Sequence, residues 1–208
     1  MRREEPIMSI VGVTGDVGAG KSALCGELAK CGAHVIDADS VARALWDDPE
    51  IRRKAEERWG KGFFDAPRKE MYAKIAAKIF GDDAEYDFAS KLLHKKTMEN
   101  ILSQARSAGG VVVAEIPLLY EGGYEKLVDF VVYAACGFEK RVGRNAKRSW
   151  SADEIERREA HLLPREEKIA RADCLLVNDG SEEEWREKAR SLWRKISEGE
   201  LDKSGASC

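Results

Sequence analysis

The sequence predicts an α/β protein, a three-layer sandwich around a central parallel five-stranded sheet. Five short apolar segments have the length of buried strands, helical patterns separate them, and a glycine-rich turn joins the first strand to the first helix. The turn carries Gly15, Gly20, Lys21 and Ser22 at the fixed places of the P-loop pattern G-x-x-x-x-G-K-[ST]. Strand, loop and helix therefore follow in the order typical of a P-loop NTPase-type fold.

The P-loop predicts a nucleoside triphosphate site. Glycines let backbone N–H groups converge on phosphate oxygens, and the N-terminus of the following helix adds to the positive field. Lys21 is expected to reach the β- and γ-phosphates and Ser22 to ligate Mg²⁺. A chance glycine-rich turn is the alternative interpretation. The predicted nucleotide contacts in this stretch are Gly15, Val17, Gly18, Ala19, Gly20, Lys21, Ser22 and Ala23.

Composition argues against several classes of partner. The chain has 208 residues, with Lys+Arg 35 against Asp+Glu 38 and a net charge of −3. This near balance argues against a duplex nucleic-acid binder. No apolar run has the length of a membrane span, and the first residues lack a signal-peptide pattern. We therefore expect a soluble, cytoplasmic protein without a membrane or nucleic-acid partner.

Acidic residues stand at the ends of two predicted strands. Asp37 and Asp39 follow the strand at 33–36, and Glu115 ends the strand at 110–115. Ligands bind at this edge of a parallel sheet, so these acids are expected near the P-loop. Strand alternation would direct Asp37 and Asp39 to one side, so that one can cap the next helix while the other is catalytic. Glu115 takes the place of a second acidic group near Mg²⁺.

Other candidate residues carry two interpretations each. Arg144 and Arg148 stand four apart on one helix face, where they form either a solvated charged surface or a cationic lid over the phosphates. Pro117 and Leu118 form either a hydrophobic wall for a substrate or core packing. His94 has no partner in the sequence, which favours a structural histidine.

The domain organisation follows from the strand and helix patterns. We predict one domain over 7–198, with core segments 7–46, 110–136 and 172–198, and a disordered tail over 199–208. The segment from 47 to 109 lacks strand signals and carries apolar residues at helical spacing, so it is predicted as a helical insertion. An insertion after the second strand lies over the ligand edge and suits substrate binding.

The chain resembles dephospho-CoA kinases, P-loop enzymes that transfer the γ-phosphate of ATP to the ribose 3′-hydroxyl of dephospho-CoA. The likeness spans nearly the whole chain. Beside the general P-loop, it rests on three more specific motifs: Asp37-Ala38-Asp39 followed by Ala42-Arg43, Pro117-Leu118-Leu119 followed by Glu121, and Asn178-Asp179-Gly180-Ser181.

The resemblance implies a complete set of roles for the last step of coenzyme A biosynthesis. Asp39 becomes the base or aligner for the 3′-hydroxyl, Lys21 and Arg148 stabilise the transferring phosphoryl group, and Arg144, Asn178 and Gly180 contact ATP. The insertion over 47–109 would bind the coenzyme, and residues 139–171 would form a helical lid. The implied substrate contacts are Asp39, Arg43, His94, Pro117 and Leu118.

The chain departs from this family pattern at four positions. Asp16 stands where glycine is usual, Tyr72 where arginine is frequent, Lys95 where proline is common, and Leu162 where glutamine is frequent. A carboxylate beside a phosphate site is unfavourable unless it points away from that site.

Two other functions compete with this interpretation. A nucleoside monophosphate kinase has the same fold, but its acceptor phosphate calls for arginines, whereas an acceptor hydroxyl calls for a carboxylate such as Asp39. A nucleotide-dependent switch or binding module is the second alternative. A GTPase of that class would carry an Asn-Lys-x-Asp motif, which the sequence lacks.

Overall fold

The computed structural model describes residues 9–146, 151–160 and 162–201. Within these residues, five strands form one parallel sheet, and helices flank it in a three-layer α/β arrangement. The predicted fold class is confirmed. The strands are β1 (Ser9–Gly15), β2 (His34–Asp37), β3 (Val111–Glu115), β4 (Phe130–Ala135) and β5 (Cys174–Val177).

The sheet order places the P-loop strand in the middle. The order is β2-β3-β1-β4-β5, so β1 pairs with β3 on one side and with β4 on the other. β1 is nearly fully buried, which explains why its sequence is almost continuously apolar. All strands run the same way, and their carboxyl ends therefore meet at one edge.

Helices connect and cover the strands. The helices of the described residues are α1 (Lys21–Lys30), α2 (Ala38–Ala44), α3 (Pro49–Trp59), α4 (Arg68–Phe80), α5 (Asp83–Ala108), α6 (Phe138–Asn145), α7 (Ala152–Glu159), α8 (Arg165–Arg171) and α9 (Glu182–Glu198). Short 3₁₀ turns at Leu45–Asp47 and Tyr124–Leu127 complete the order. The sequence pattern also predicts a helix over 68–80 and a strand over 174–177, and these match α4 and β5 in their bounds.

One face of the sheet packs against α1 and α9. Leu24 and Leu28 of α1 and Leu192 of α9 are buried with the valines of β1 and β3 in one apolar cluster. Leu201, beyond the end of α9, also packs against this cluster. The two helices therefore hold the P-loop strand from one side and stabilise it by removing apolar surface from water.

The chain divides into two compact units, one of which consists of residues 39–101. This unit has its own core, in which Trp46, Trp59 and Phe64 approach one another with ring centroids 5.3 to 6.2 Å apart. Asp48 caps α3 by accepting from the N–H groups of Glu50 and Ile51. The helical pattern of the insertion is thus explained by an aromatic core of its own.

One local expectation was wrong. Asp37 ends β2, but Asp39 lies in the first turn of α2, which begins at Ala38. Strand alternation therefore does not orient Asp39. Because Asp39 lies inside α2, it is also not the N-cap, which is the residue that precedes a helix. The helix begins earlier than its apolar pattern indicates because Ala38, Asp39 and Ser40 are all tolerated in a first turn.

Candidate active site

The P-loop has a backbone that only glycine fits at its key positions. Gly15 has φ of 143°, and a Cβ there would lie 2.0 Å from the carbonyl oxygen of Ala134. Gly18 has φ of 79°, and a Cβ would lie 1.9 Å from Nδ2 of Asn145. Both a left-handed backbone and close packing therefore require glycine in this turn.

The N-terminus of α1 faces the same loop. Gly20 stands at the N-cap with a left-handed backbone, and it has no side chain with which to cap the helix. The first turn contains no acidic residue among Lys21, Ser22 and Ala23. Its N–H groups and the helix dipole are therefore suited to an anionic ligand.

Lys21 folds back across the loop. Its Nζ donates to the carbonyl oxygen of Gly15 at 3.1 Å and to that of Asp16 at 2.9 Å. The ammonium group is thereby held within the turn that precedes it. This places a point charge where phosphate oxygens would be held by the P-loop.

Ser22 and Glu115 come together at the carboxyl edge of the sheet. Ser22 Oγ donates to Oε1 of Glu115 over 2.7 Å, and Glu115 lies opposite Asp37 in the β2–β3 register. The residues predicted to hold Mg²⁺ thus form one group of hard oxygen donors, the type that Mg²⁺ prefers. No cluster of three or more His, Cys, Asp or Glu side chains suited to a metal occurs in the described part of the chain. A magnesium ion that keeps waters and phosphate oxygens as ligands fits such a sparse protein donor set.

The pKa of the Cys25 thiol is affected by burial and by the charged groups at this edge of the sheet. Burial, followed by the negative charges of Glu115 and Asp37, raises the pKa of its thiol, while Lys21 acts in the opposite direction. The thiol is therefore neutral and inert at physiological pH, and it belongs to the core cluster beneath α1.

A second side of the P-loop is formed by the turn after β5. Asn178 is buried and donates from Nδ2 to the carbonyl oxygen of Ala19 over 2.7 Å. Arg144 donates to the carbonyl oxygen of Asn178 at 2.9 Å and to its Oδ1 at 3.2 Å, and lies 3.5 Å from the carbonyl oxygen of Gly180. Three predicted nucleotide contacts therefore meet beside the loop.

The start of α9 stabilises that turn. Ser181 and Glu184 form a complete capping box, in which each side chain bonds to the backbone of the other residue. Trp185 is buried and donates from its indole nitrogen to the carbonyl oxygen of Gly20 over 3.3 Å. The capped helix thus fixes Asn178 and Gly180 relative to the P-loop.

The side chain of Asp16 is directed toward β4 and α8. Its Oδ1 accepts from the hydroxyl of Tyr133 at 2.6 Å and from Nε of Arg165 at 3.0 Å, and its Oδ2 accepts from the N–H of Cys136 at 2.9 Å. Burial and the bond to Asp16 raise the pKa of Tyr133, which keeps the phenol protonated as a donor. The carboxylate is thus bonded at the end of β4.

Pro117 and Leu118 follow β3 and are half-buried. The carbonyl oxygen of Pro117 accepts from the hydroxyl of Thr14 over 3.1 Å, which ties this segment to the end of β1. Leu119 is fully buried, so the core-packing interpretation applies to that residue.

The remaining predicted substrate contacts lie in the unit of residues 39–101. Asp39 and Arg43 are exposed on α2, and His94 is half-buried on α5. The hydroxyl of Tyr72 lies 3.3 Å from the carbonyl oxygen of Arg43 and 3.1 Å from Oδ2 of Asp47. Tyr72 is therefore part of the polar surface beside Arg43.

Arg148 belongs to the segment 147–150, which lies outside the described residues.

Sequence reasoning missed the contacts that two neighbouring helices make with the P-loop. Arg141 of α6 and Glu159 of α7 both bond to the backbone of Val17. No local signal marks them, because in each bond the two partners are more than one hundred residues apart in the chain.

The model of the dephospho-CoA kinase family matches residues 9–184, which includes all the motifs described above. The chain belongs to the dephospho-CoA kinase family. Membership confirms the resemblance and makes the protein a phosphotransferase. The alternatives of a nucleoside monophosphate kinase and of a switch protein are therefore set aside.

Relatives support this family over the whole chain. The dephospho-CoA kinase of Chlorobium luteolum is 34% identical over 96% of this chain and 94% of its own length. The crystal structure of TT1252 from Thermus thermophilus is 26% identical, with a TM-score of 0.74 over 93% of this chain and 99% of that one. The dephospho-CoA kinase from Campylobacter jejuni has the same fold, with a TM-score of 0.62, 20% identity and coverage of 92% and 98%.

The Ser22–Glu115 pair leads to a testable prediction for a dephospho-CoA kinase. We expect Glu115→Gln to raise the Mg²⁺ concentration needed for half-maximal activity about tenfold, because an amide binds a hard cation less strongly than a carboxylate. ATP binding measured without Mg²⁺ should be unchanged. Glu125→Gln, in the 3₁₀ turn at Tyr124–Leu127, is the matched control. Equal Mg²⁺ requirements in all three proteins would contradict the role of Glu115.

Proposed function

We propose that the protein phosphorylates the ribose 3′-hydroxyl of dephospho-CoA with ATP, giving CoA and ADP in the last step of coenzyme A biosynthesis. The observation that carries the proposal is the joint presence of a complete P-loop, with Lys21 and the Ser22–Glu115 pair in place, within a chain of this family. ATP and Mg²⁺ are the proposed cofactors, and the cytoplasm is the proposed location. Among the described residues, no helix is both long and apolar enough to cross a bilayer.

The P-loop residues bind and orient the triphosphate. Backbone N–H groups of Gly18 and of residues 20–23, at the N-terminus of α1, hold phosphate oxygens, while Lys21 neutralises charge on the β- and γ-phosphates. Ser22 and Glu115 would hold Mg²⁺, which when bound neutralises charge on the phosphates. Arg144, Asn178 and Gly180 contact the nucleotide beside the loop.

Asp39 acts on the acceptor. Its carboxylate accepts the proton of the 3′-hydroxyl or aligns that hydroxyl for attack on the γ-phosphorus. Arg43, His94, Pro117 and Leu118 are the proposed contacts of the coenzyme substrate. Asp39 lies exposed in the first turn of α2.

Arg148 is proposed to stabilise the transition state from a lid over residues 139–171. Charge spreads over the equatorial phosphoryl oxygens during transfer, and a planar guanidinium can span two of them. We expect Arg148→Ala to lower kcat about 100-fold or more, with a smaller change in ATP Kd. Arg148→Lys should recover part of the loss, and Lys147→Ala is the control. Equal and minor effects in all three variants would contradict the role of Arg148.

One experiment tests the function as a whole. Purified protein is incubated with Mg²⁺ and ATP, and ADP release is measured with dephospho-CoA, with nucleoside monophosphates and without acceptor. Dephospho-CoA should stimulate ADP release strongly, with CoA as the product. A nucleoside monophosphate with the higher kcat/KM would overturn the proposal.

A further inference from the structure

A carboxylate lies within the loop that is built for a polyanion. Asp16 follows the first glycine of the P-loop, and its side chain is only 1% exposed. Its backbone carbonyl accepts from Nζ of Lys21, so the same residue also positions the main phosphate-binding cation. A buried negative charge so close to a triphosphate weakens binding unless another charge compensates it.

Arg165 supplies that compensating charge. Tyr133 and the N–H of Cys136 also bond to the Asp16 carboxylate, but both are neutral donors and cannot cancel its charge. Nε of Arg165 reaches Oδ1 of Asp16 from the first residue of α8, 149 positions away in the sequence. Because the carboxylate is removed from solvent, water screens its charge poorly. The paired cation of Arg165 neutralises that charge instead.

The next P-loop residue has a similar arrangement. Oε1 of Glu159 accepts from the N–H of Val17 at 3.2 Å, and Arg141 donates to that same oxygen at 2.5 Å. Arg141 also donates to the carbonyl oxygen of Val17. The carboxylate of Asp16 is thus paired with Arg165, and the carboxylate of Glu159, which bonds to Val17, is paired with Arg141.

The two arginines differ in accessibility. The Arg141 side chain is 5% exposed, whereas that of Arg165 is 44% exposed. Replacing Arg141 would leave a cavity and remove the paired charge from the half-buried carboxylate of Glu159. Arg165 is partly exposed, so its replacement leaves no buried cavity, and the electrostatic effect of its charge can be measured in a folded protein.

We propose that Arg165 is a positioning residue that sets the affinity for ATP by neutralising Asp16. The inference rests on the proposed function in that ATP is the ligand of the P-loop. Without Arg165, the carboxylate of Asp16 repels the phosphates through a poorly screened environment. The repulsion grows with the phosphate charge held at the loop, which distinguishes it from a general loosening of the structure.

The test measures affinities for ATP, ADP and AMP without added Mg²⁺, by competition against a fluorescent ATP analogue. In Arg165→Ala, the Kd for ATP should rise about tenfold, that for ADP less, and that for AMP within about twofold, because phosphate charge at the loop falls in that order. Arg165→Lys keeps the charge and should stay within about threefold of the unchanged protein.

A second substitution tests the charge directly. Adding Asp16→Gly to Arg165→Ala removes the uncompensated carboxylate and should restore most of the ATP affinity. Adding Asp16→Asn to Arg165→Ala also removes the negative charge but keeps a polar side chain. Arg157→Ala is the matched control. Arg157 is an exposed arginine of α7 that bonds to Glu154 of its own helix, so its loss should leave ATP affinity within about twofold.

The outcomes separate this inference from the proposed function. An unchanged ATP affinity in Arg165→Ala, an equal loss for all three nucleotides, or no recovery in both double variants would overturn the role of Arg165. Because binding is measured without an acceptor, none of these results depends on dephospho-CoA as substrate. Failure of the unchanged protein to bind ATP would overturn both proposals.

Discussion

Asp39→Asn is expected to lower kcat about 100-fold or more while the Kd for ATP changes by less than about threefold. Asparagine keeps the size of the side chain but neither accepts a proton nor carries the charge that aligns the acceptor hydroxyl. The proposed ATP site is the P-loop, to which Asp39 does not belong, so nucleotide binding should persist. The measurement is steady-state kinetics with dephospho-CoA, together with equilibrium ATP binding.

The control for Asp39→Asn is Asp87→Asn. Asp87 is an exposed aspartate of α5 in the same unit of residues 39–101, so its replacement makes the same change in net charge. We expect it to retain near-normal turnover, as is usual for surface substitutions. Near-normal turnover in Asp39→Asn as well would assign the role to another acid, with Asp37 at the end of β2 as the next candidate.

Lys21→Ala is expected to damage both binding and turnover, with the Kd for ATP raised about tenfold or more and kcat lowered about 100-fold or more. The Lys21 ammonium is bonded to the carbonyl oxygens of Gly15 and Asp16, and it is proposed to contact the β- and γ-phosphates. Its loss removes a charge that acts in the ground state and more strongly in the transition state.

Two further variants separate the charge of Lys21 from its effect on the loop. Lys21→Met keeps the length of the side chain without its charge, and it should resemble Lys21→Ala if the charge is what matters. Lys30→Ala removes an exposed lysine from the other end of α1, where it bonds to Glu27 of its own helix, and it should behave like the unchanged protein. Undiminished ATP affinity in Lys21→Ala would contradict the assigned site.

Much of the architecture could be predicted because its signals are local. The P-loop was recognisable because phosphate binding restricts residue types within eight consecutive positions. Strands and helices such as β5 and α4 were predicted with their observed bounds, since burial on both sheet faces and amphipathic helix spacing leave distinct patterns in a short window. Glu115 was placed near Ser22 by the rule that parallel strands present their carboxyl ends at one edge.

Local patterns failed where a boundary depended on the fold. The strand pattern indicated that Asp37 and Asp39 share a side, but the chain turns into α2 at Ala38. The different side-chain orientations of Asp37 and Asp39 could not be predicted from strand alternation, because a helix and a strand repeat with different periods.

The pairs that complete the site were decided by the tertiary structure alone. Asp16 could be recognised in sequence as an unusual charge in a phosphate loop, but its partners Tyr133 and Arg165 lie 117 and 149 positions away. Such contacts depend on which strands become neighbours and on how the helices return to the sheet, and local propensity does not encode that order. A P-loop motif specifies the backbone that meets the phosphates, whereas the charges behind that backbone are set by whichever distant segments pack against it.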